Sequence, residues 1–136
     1  MLPRSQRLST AEFALAFQNG RILRHPLLQL RAYRRAQSTL SGGILRAAFV
    51  APKKLGKAHV RNRVRRRVSE QFRLSPARAA LMETASLNGF DLIFMASPAV
   101  QQATSAQIEE AIAQLLRRLA SNRSPHHARR ENSTAE

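Results

Sequence analysis

Residues 53–73 read KKLGKAHVRNRVRRRVSEQFR, and they hold most of what this chain offers to a ligand. Lys53, Lys54 and Lys57 come first, followed by Arg61, Asn62, Arg63, Arg65, Arg66 and Arg67. Guanidinium and ammonium groups donate hydrogen bonds to phosphate oxygens, Arg in planar or stacked contacts and Lys as a compact point charge. The chemistry on offer is recognition of a polyanion. Nothing comparable supports bond breaking. The four His, at positions 25, 59, 126 and 127, include no i, i+4 ligand pair, and Asp91 has no acidic neighbour in sequence for a two-metal site. A nuclease acting through its own side chains would be expected to supply carboxylates, and residues 13–69 contain none.

That acid-free stretch carries fourteen Lys and Arg, which is +14 of a formal net charge of +15. Solvated faces usually mix both signs, so a one-signed surface of this density points to nucleic acid. The cations are twenty Arg and three Lys, and all three Lys fall within residues 53–57. Clustered Lys in an Arg-rich chain suggests a turn that needs the smaller head group.

These side chains need elements to hold them. In residues 58–73, Val60, Val64, Val68 and Phe72 recur every fourth position, forming one apolar stripe on a helix. Asn62, Arg66 and Arg73 lie nearly opposite it, Arg63 and Arg67 flank one edge, and Arg65 flanks the other. Arg61 lies within the margin of the stripe and must snorkel outward or bind something beside the sheet. Upstream, Ser9 and Glu12 have capping-box spacing and open a helix closed by Gly20, with Phe13, Ala16 and Phe17 on one face. Residues 27–33 alternate as a strand, with Leu28, Leu30 and Ala32 on one face and Gln29, Arg31 and Tyr33 on the other. A second strand over 44–51 follows a Gly42-Gly43 turn, and Pro52 ends it. Pro76 blocks the basic helix, residues 77–87 form a short further helix, and Asn88-Gly89 makes a turn. Residues 90–96, FDLIFMA, read as a buried strand. Thr104 or Ser105 caps a last helix through Ala120, with Ile108, Ile112, Leu115, Leu116 and Leu119 inward.

The order is α-β-β-α-β-α, a two-layer α/β sandwich with a small sheet. Residues 1–8 are expected to be a flexible basic N-terminus, 9–120 a single RNA-binding domain, and 121–136 a polar, disordered tail. A chain of 136 residues with 43% hydrophobic content can bury one core. It has no Cys, which excludes disulfides and fits a reducing cytoplasm. No apolar run approaches a membrane span, and the start lacks a signal-peptide core.

The segment from Lys53-Lys54-Leu55-Gly56-Lys57-Ala58 through Arg61-Asn62-Arg63 to Arg66-Arg67 resembles the signature of the bacterial ribonuclease P protein family, approximately K-K-x-G-x-A-x-x-R-N-R-x-[KR]-R. An opening R-L…F…F helix (Arg7, Leu8, Phe13, Phe17), an R-x-x-x-V strand from Arg46 to Val50, and an apolar strand beginning at Asp91 are similar and in the same order. Ala48 stands where the family often has Gly, Pro52 where Ser is frequent, and Ser69 where a further Arg is common.

The resemblance implies an α/β sandwich with a left-handed βαβ crossover around the basic helix. It implies a subunit of an enzyme whose catalytic groups and Mg2+ ions are held by RNA, with no cofactor or metal on the protein itself. Its partners would be the catalytic RNA, one protein per RNA, and precursor tRNA, with no membrane and no DNA. Phe13 and Phe17 carry over as the floor of a groove for the 5′ leader, with Arg31 and Tyr33 beside it; both Phe equally suit an ordinary core. A ribosomal-type RNA-binding protein would share the charge and size but not the 53–67 motif with the upstream Phe pair. A helix-turn-helix DNA-binding regulator fits less well, since strands flank the basic helix and no second helix follows at a short turn.

Overall fold

A computed structural model of the chain describes residues 7–35, 45–83 and 89–121. Helix α1 spans Thr10–Asn19 and is followed by strands β1 (Arg21–Arg24), β2 (Leu28–Arg34) and β3 (Arg46–Val50). Then come a 3-10 turn at Lys53–Leu55, helices α2 (Ala58–Leu74) and α3 (Pro76–Glu83), and strand β4 (Phe90–Ala96). A second 3-10 turn at Pro98–Gln102 leads into α4 (Ser105–Ser121).

The sheet order is β1-β2-β4-β3, with β1–β2 and β2–β4 antiparallel and β3–β4 parallel. Parallel neighbours need a crossover, and α2 with α3 supplies it between β3 and β4. Leu23, Leu28, Leu30, Ala32, Ala47, Leu92 and Phe94 form the face covered by α2 and α4. Their partners are Val64, Val68 and Phe72 of α2 and Ile108, Ile112, Leu115, Leu116 and Leu119 of α4, all buried. Each such side chain contributes about 1.5–3 kcal/mol when fully withdrawn from water.

Of the described helices, only α1 lies on the opposite face. Ile93 is buried there, whereas Gln29, Tyr33, Ala48, Val50 and Met95 are half-buried. Both reciprocal bonds of the Ser9–Glu12 capping box are present. Gly20 ends α1 with an extended backbone, and its role is close approach: a Cβ there would sit 2.5 Å from the Ala16 carbonyl oxygen and 3.3 Å from the Ala32 backbone. Thr104 caps α4 with Gln107 in the same reciprocal way.

Two features differ from the sequence expectation. Residues 21–24 form a strand that the pattern did not announce, because RILR is short and half charged and becomes a strand only by pairing with β2. Pro76 does stop α2, and it also begins α3, consistent with the fixed φ of Pro suiting a first helical position. Arg7 forms a parallel bridge with Ala47, and Leu8 is half-buried. Residues 1–6, the expected Gly42-Gly43 turn, Asn88 and the tail from 122 lie outside the described residues.

Candidate nucleic-acid interface

Helix α2 docks through its stripe as the four-residue period requires. Val64, Val68 and Phe72 are buried, and Phe72 meets Phe49 and Phe94 at centroid distances of 5.6 and 5.4 Å. Docking by that face turns Asn62, Arg63 and Arg66 into solvent, with Arg65 half-buried beside them. An Arg65 guanidinium nitrogen donates to Asn62 Oδ1, tying two motif residues together. No acidic residue lies in the first turn of α2 and no side chain caps it, so the positive end of the helix dipole adds to the cations. The only acid on the helix, Glu70, is bonded to Arg73 at 2.6 Å, well away from the Arg61–Asn62–Arg63 end.

Lys53, Lys54 and Lys57 are all exposed on the 3-10 turn and its exit. Buried Leu55 anchors that turn, and Gln101 Nε2 donates to the Leu55 carbonyl at 2.8 Å. Gly56 has φ +132°, a value that L side chains rarely adopt, and this lets the chain leave the turn directly into α2.

Two motif arginines are placed differently from the rest. Arg67 donates to the carbonyls of Val100 (3.3 Å) and Ala103 (2.5 Å), so its guanidinium holds the second 3-10 turn against α2. Arg61 is half-buried, and its Nε is enclosed without a hydrogen-bond partner among the described residues. Arg63 and Arg66, by contrast, present free guanidinium groups among the described residues.

On the far face of the sheet, Phe13 and Phe17 stack at 5.9 Å with their planes 13° apart. Ala16 is the only buried residue of α1; Phe13 is half-buried and Phe17 is 36% exposed, so the pair stays out of the main core and reaches the surface. Arg31 lies with its guanidinium carbon 4.0 Å from the Phe17 ring centroid and donates to the Phe17 carbonyl at 2.8 Å. Tyr33, two residues along β2, is on the same face and half-buried. Phe13, Phe17 and Arg31 are thus in contact, and Tyr33 shares the sheet face of Arg31.

What the sequence did not disclose is the ionic network beneath α1. Arg46 and Asp91 are cross-strand neighbours, and Arg46 binds the carboxylate through Nε (3.0 Å) and Nη2 (3.1 Å). Arg35 also donates to Asp91 and to the Phe90 carbonyl, and Arg46 Nη1 reaches Glu12 at 2.6 Å. Two cations and two anions thus close a neutral cluster, with Asp91 2% exposed. The Ser9 backbone N–H, helped by the Ser9 hydroxyl and Arg46, outweighs burial and holds the Glu12 carboxyl below its ordinary value. Burial opposes the Arg46 charge, but Asp91 and Glu12 outweigh it and raise its pKa. Asp91, which looked solitary in the sequence, is the centre of this cluster; only the β3–β4 register could have revealed it.

The fold and site define a small α/β protein with a docked helix whose exposed cations, Arg63 and Arg66, have no acidic partner among the described residues. The Ribonuclease P family profile matches residues 2–120. The ribonuclease P protein component of Roseiflexus castenholzii is 34% identical over 119 residues, covering 86% of this chain and 88% of the relative. That of Clostridium kluyveri is 30% identical over 108 residues, covering 79% and 88%. Among solved structures, the RNase P protein from Thermotoga maritima superposes with a TM-score of 0.62 at 23% identity, over 82% of this chain and 96% of that one. The Staphylococcus aureus RNase P protein gives 0.63 at 19% identity, over 82% and 93%. The chain belongs to the ribonuclease P protein family, the protein components of a tRNA-processing ribonucleoprotein. None of the helices described is long and apolar enough to cross a membrane.

Proposed function

We propose that this chain binds the catalytic RNA of ribonuclease P through α2 and the lysine turn, and holds the 5′ leader of precursor tRNA in the groove beneath α1. By doing so it promotes endonucleolytic removal of the leader. The observation that carries the reading is the segregation of charge on one docked helix. Lys53, Lys54, Lys57, Arg63 and Arg66 stand exposed with no acidic partner among the described residues, while Glu12, Asp91 and Glu70 are paired with other arginines. In the free protein these cations repel one another, and a phosphate backbone relieves that repulsion.

The protein contributes binding, and the RNA supplies the catalytic groups together with the Mg2+ ions. No His, Asp or Glu cluster suited to holding a metal occurs among the described residues. The assembly is cytoplasmic, with one protein per RNA and no DNA or membrane partner. In the groove, the Phe13–Phe17–Arg31 stack presents a π-surface and a fixed cation to a single strand, and each stacked base contributes about 1–3 kcal/mol.

The test is cleavage of precursor tRNA by a catalytic ribonuclease P RNA at low magnesium, with and without the protein. Stimulation is expected, and it should weaken sharply in Arg63→Ala/Arg66→Ala. With about six phosphate contacts, log K should fall with log salt at a slope of about −4 to −5. A folded wild type that stimulates none of several catalytic RNAs overturns the reading.

A further inference from the structure

Beside the basic helix lies a cavity that phosphate binding does not explain. It holds about 400 Å³, within the about 300–1,000 Å³ typical of ligand clefts, and it opens between the chain at Arg7 and Leu8, the edge strand β3, and α2. Its apolar wall is Leu8, Ala47, Ala48 and Phe49; Arg65, Arg66 and Asn62 bring charge and an amide to it. A surface meant only for phosphates has no use for an apolar recess, and one meant only for apolar contact would not be ringed with guanidinium groups.

The edge of β3 adds hydrogen-bonding capacity. On its inner side β3 pairs with β4 along its length, but on its outer side the single bridge from Arg7 to Ala47 is its only strand contact among the described residues. An edge strand without a full partner offers backbone N–H and C=O groups to whatever lies beside it. Here they border an apolar recess whose volume of about 400 Å³ has room for a nucleobase. Asn62 Oδ1 is occupied by Arg65, which leaves the amide protons of Asn62 for a ligand.

The geometry points to a pocket for one unstacked nucleotide of the catalytic RNA. Its base enters between Leu8 and the β3 edge, and its phosphate meets Arg65 and Arg66. The assignment to the catalytic RNA rests on the function proposed above, since the same helix carries the exposed cations; the capacity to hold a nucleotide does not depend on it. The source is the catalytic RNA, because the leader groove of Phe13, Phe17 and Arg31 belongs to α1 and β2, whereas this cavity belongs to α2 and β3.

The experiment has two arms. In the first, the free protein is titrated with adenosine 5′-monophosphate, adenosine and inorganic phosphate, following the methyl resonances of Leu8, Ala47 and Ala48. The nucleotide should bind about tenfold more tightly than phosphate, the increment of one stacked base, and should move those methyls. Ala48→Leu and, independently, Ser69→Leu fill the recess from the strand and from the helix without touching an arginine; both should abolish the difference while melting temperature holds. In the second arm, the same variants should weaken binding to the catalytic RNA alone by about tenfold with the salt slope unchanged, because no phosphate contact is lost. Equal binding of phosphate and nucleotide, with unmoved methyls, overturns the pocket whatever the cleavage assay shows. An effect of both filling variants on leader-length dependence alone overturns the assignment to the catalytic RNA.

Discussion

The same side chain does opposite work on the two sides of this sheet. On α2, Arg63 and Arg66 are exposed with no acidic partner among the described residues, whereas beneath α1, Arg35 and Arg46 are buried and bonded to Asp91 and Glu12. Arg67 belongs functionally with the second group although it sits in the motif of the first, since its guanidinium binds the carbonyls of Val100 and Ala103. A count of cations therefore overstates the contacts available to RNA. Burial next to a carboxylate or carbonyl turns an arginine into a structural tie, and exposure leaves it as a ligand group.

The sharpest way to break this contrast is Asp91→Ala. It leaves Arg35 and Arg46 buried without their shared anion, and removal of one member of a buried pair costs about 3–5 kcal/mol. Urea unfolding should show that loss. If stability is unchanged, the cluster is not holding the sheet and α1 together.

Next in size is a comparison within α2. Arg63→Ala/Arg66→Ala should leave stability within about 0.5 kcal/mol, as surface changes do, while making the salt slope of RNA binding shallower by about 1.4–1.8 for two lost contacts. Arg67→Ala should do the reverse, destabilising by about 1.5–3 kcal/mol through its lost charged hydrogen bonds with the slope unchanged. If the two variants behave alike, the division between ligand and tie fails.

The smallest effect, and the most selective, belongs to Glu12→Gln. Gln still accepts from the Ser9 N–H, as a capping box allows, but it no longer pairs with Arg46. The Glu12 side chain is 34% exposed, so the stability loss should be about 1 kcal/mol or less. Because the folded pKa of Glu12 lies below 4.5, its contribution is present above that value and is lost as pH falls through the folded pKa. The variant should therefore be less stable than the wild type by that amount near neutrality, converge on it as pH falls through that acid range, and show a flatter profile there. It should also weaken binding of precursor tRNA with a long leader more than one with a single-nucleotide leader, because Glu12 ties the helix bearing Phe13 and Phe17 to the sheet.

Much of this was legible before any coordinates. The capping box at Ser9, the cap of α4 at Thr104 or Ser105, the valine stripe of α2 and the apolar run of β4 are local signals, written in spacing and in the hydrogen-bonding reach of neighbouring residues. The basic segment and the groove residues were named from residue type and resemblance; Lys53, Lys54, Lys57, Asn62, Arg63 and Arg66 are exposed, whereas Arg61 is half-buried and Arg67 is tied to backbone carbonyls. Strand β1 was not legible, because four residues with two Arg carry no period and gain their form from β2.

The sequence by itself determined the helices, the acid-free cationic segment and the apolar faces, since periodicity and charge depend on neighbours a few residues apart. Tertiary structure alone decided which arginines face water and which face carboxylates. Arg46 and Asp91 are 45 residues apart in the chain and adjacent in the sheet, and Arg67 meets its carbonyls across 33 and 36 residues. An arginine's role is set by the dielectric and the partners around its head group, and those are supplied by distant segments that only the packing brings near.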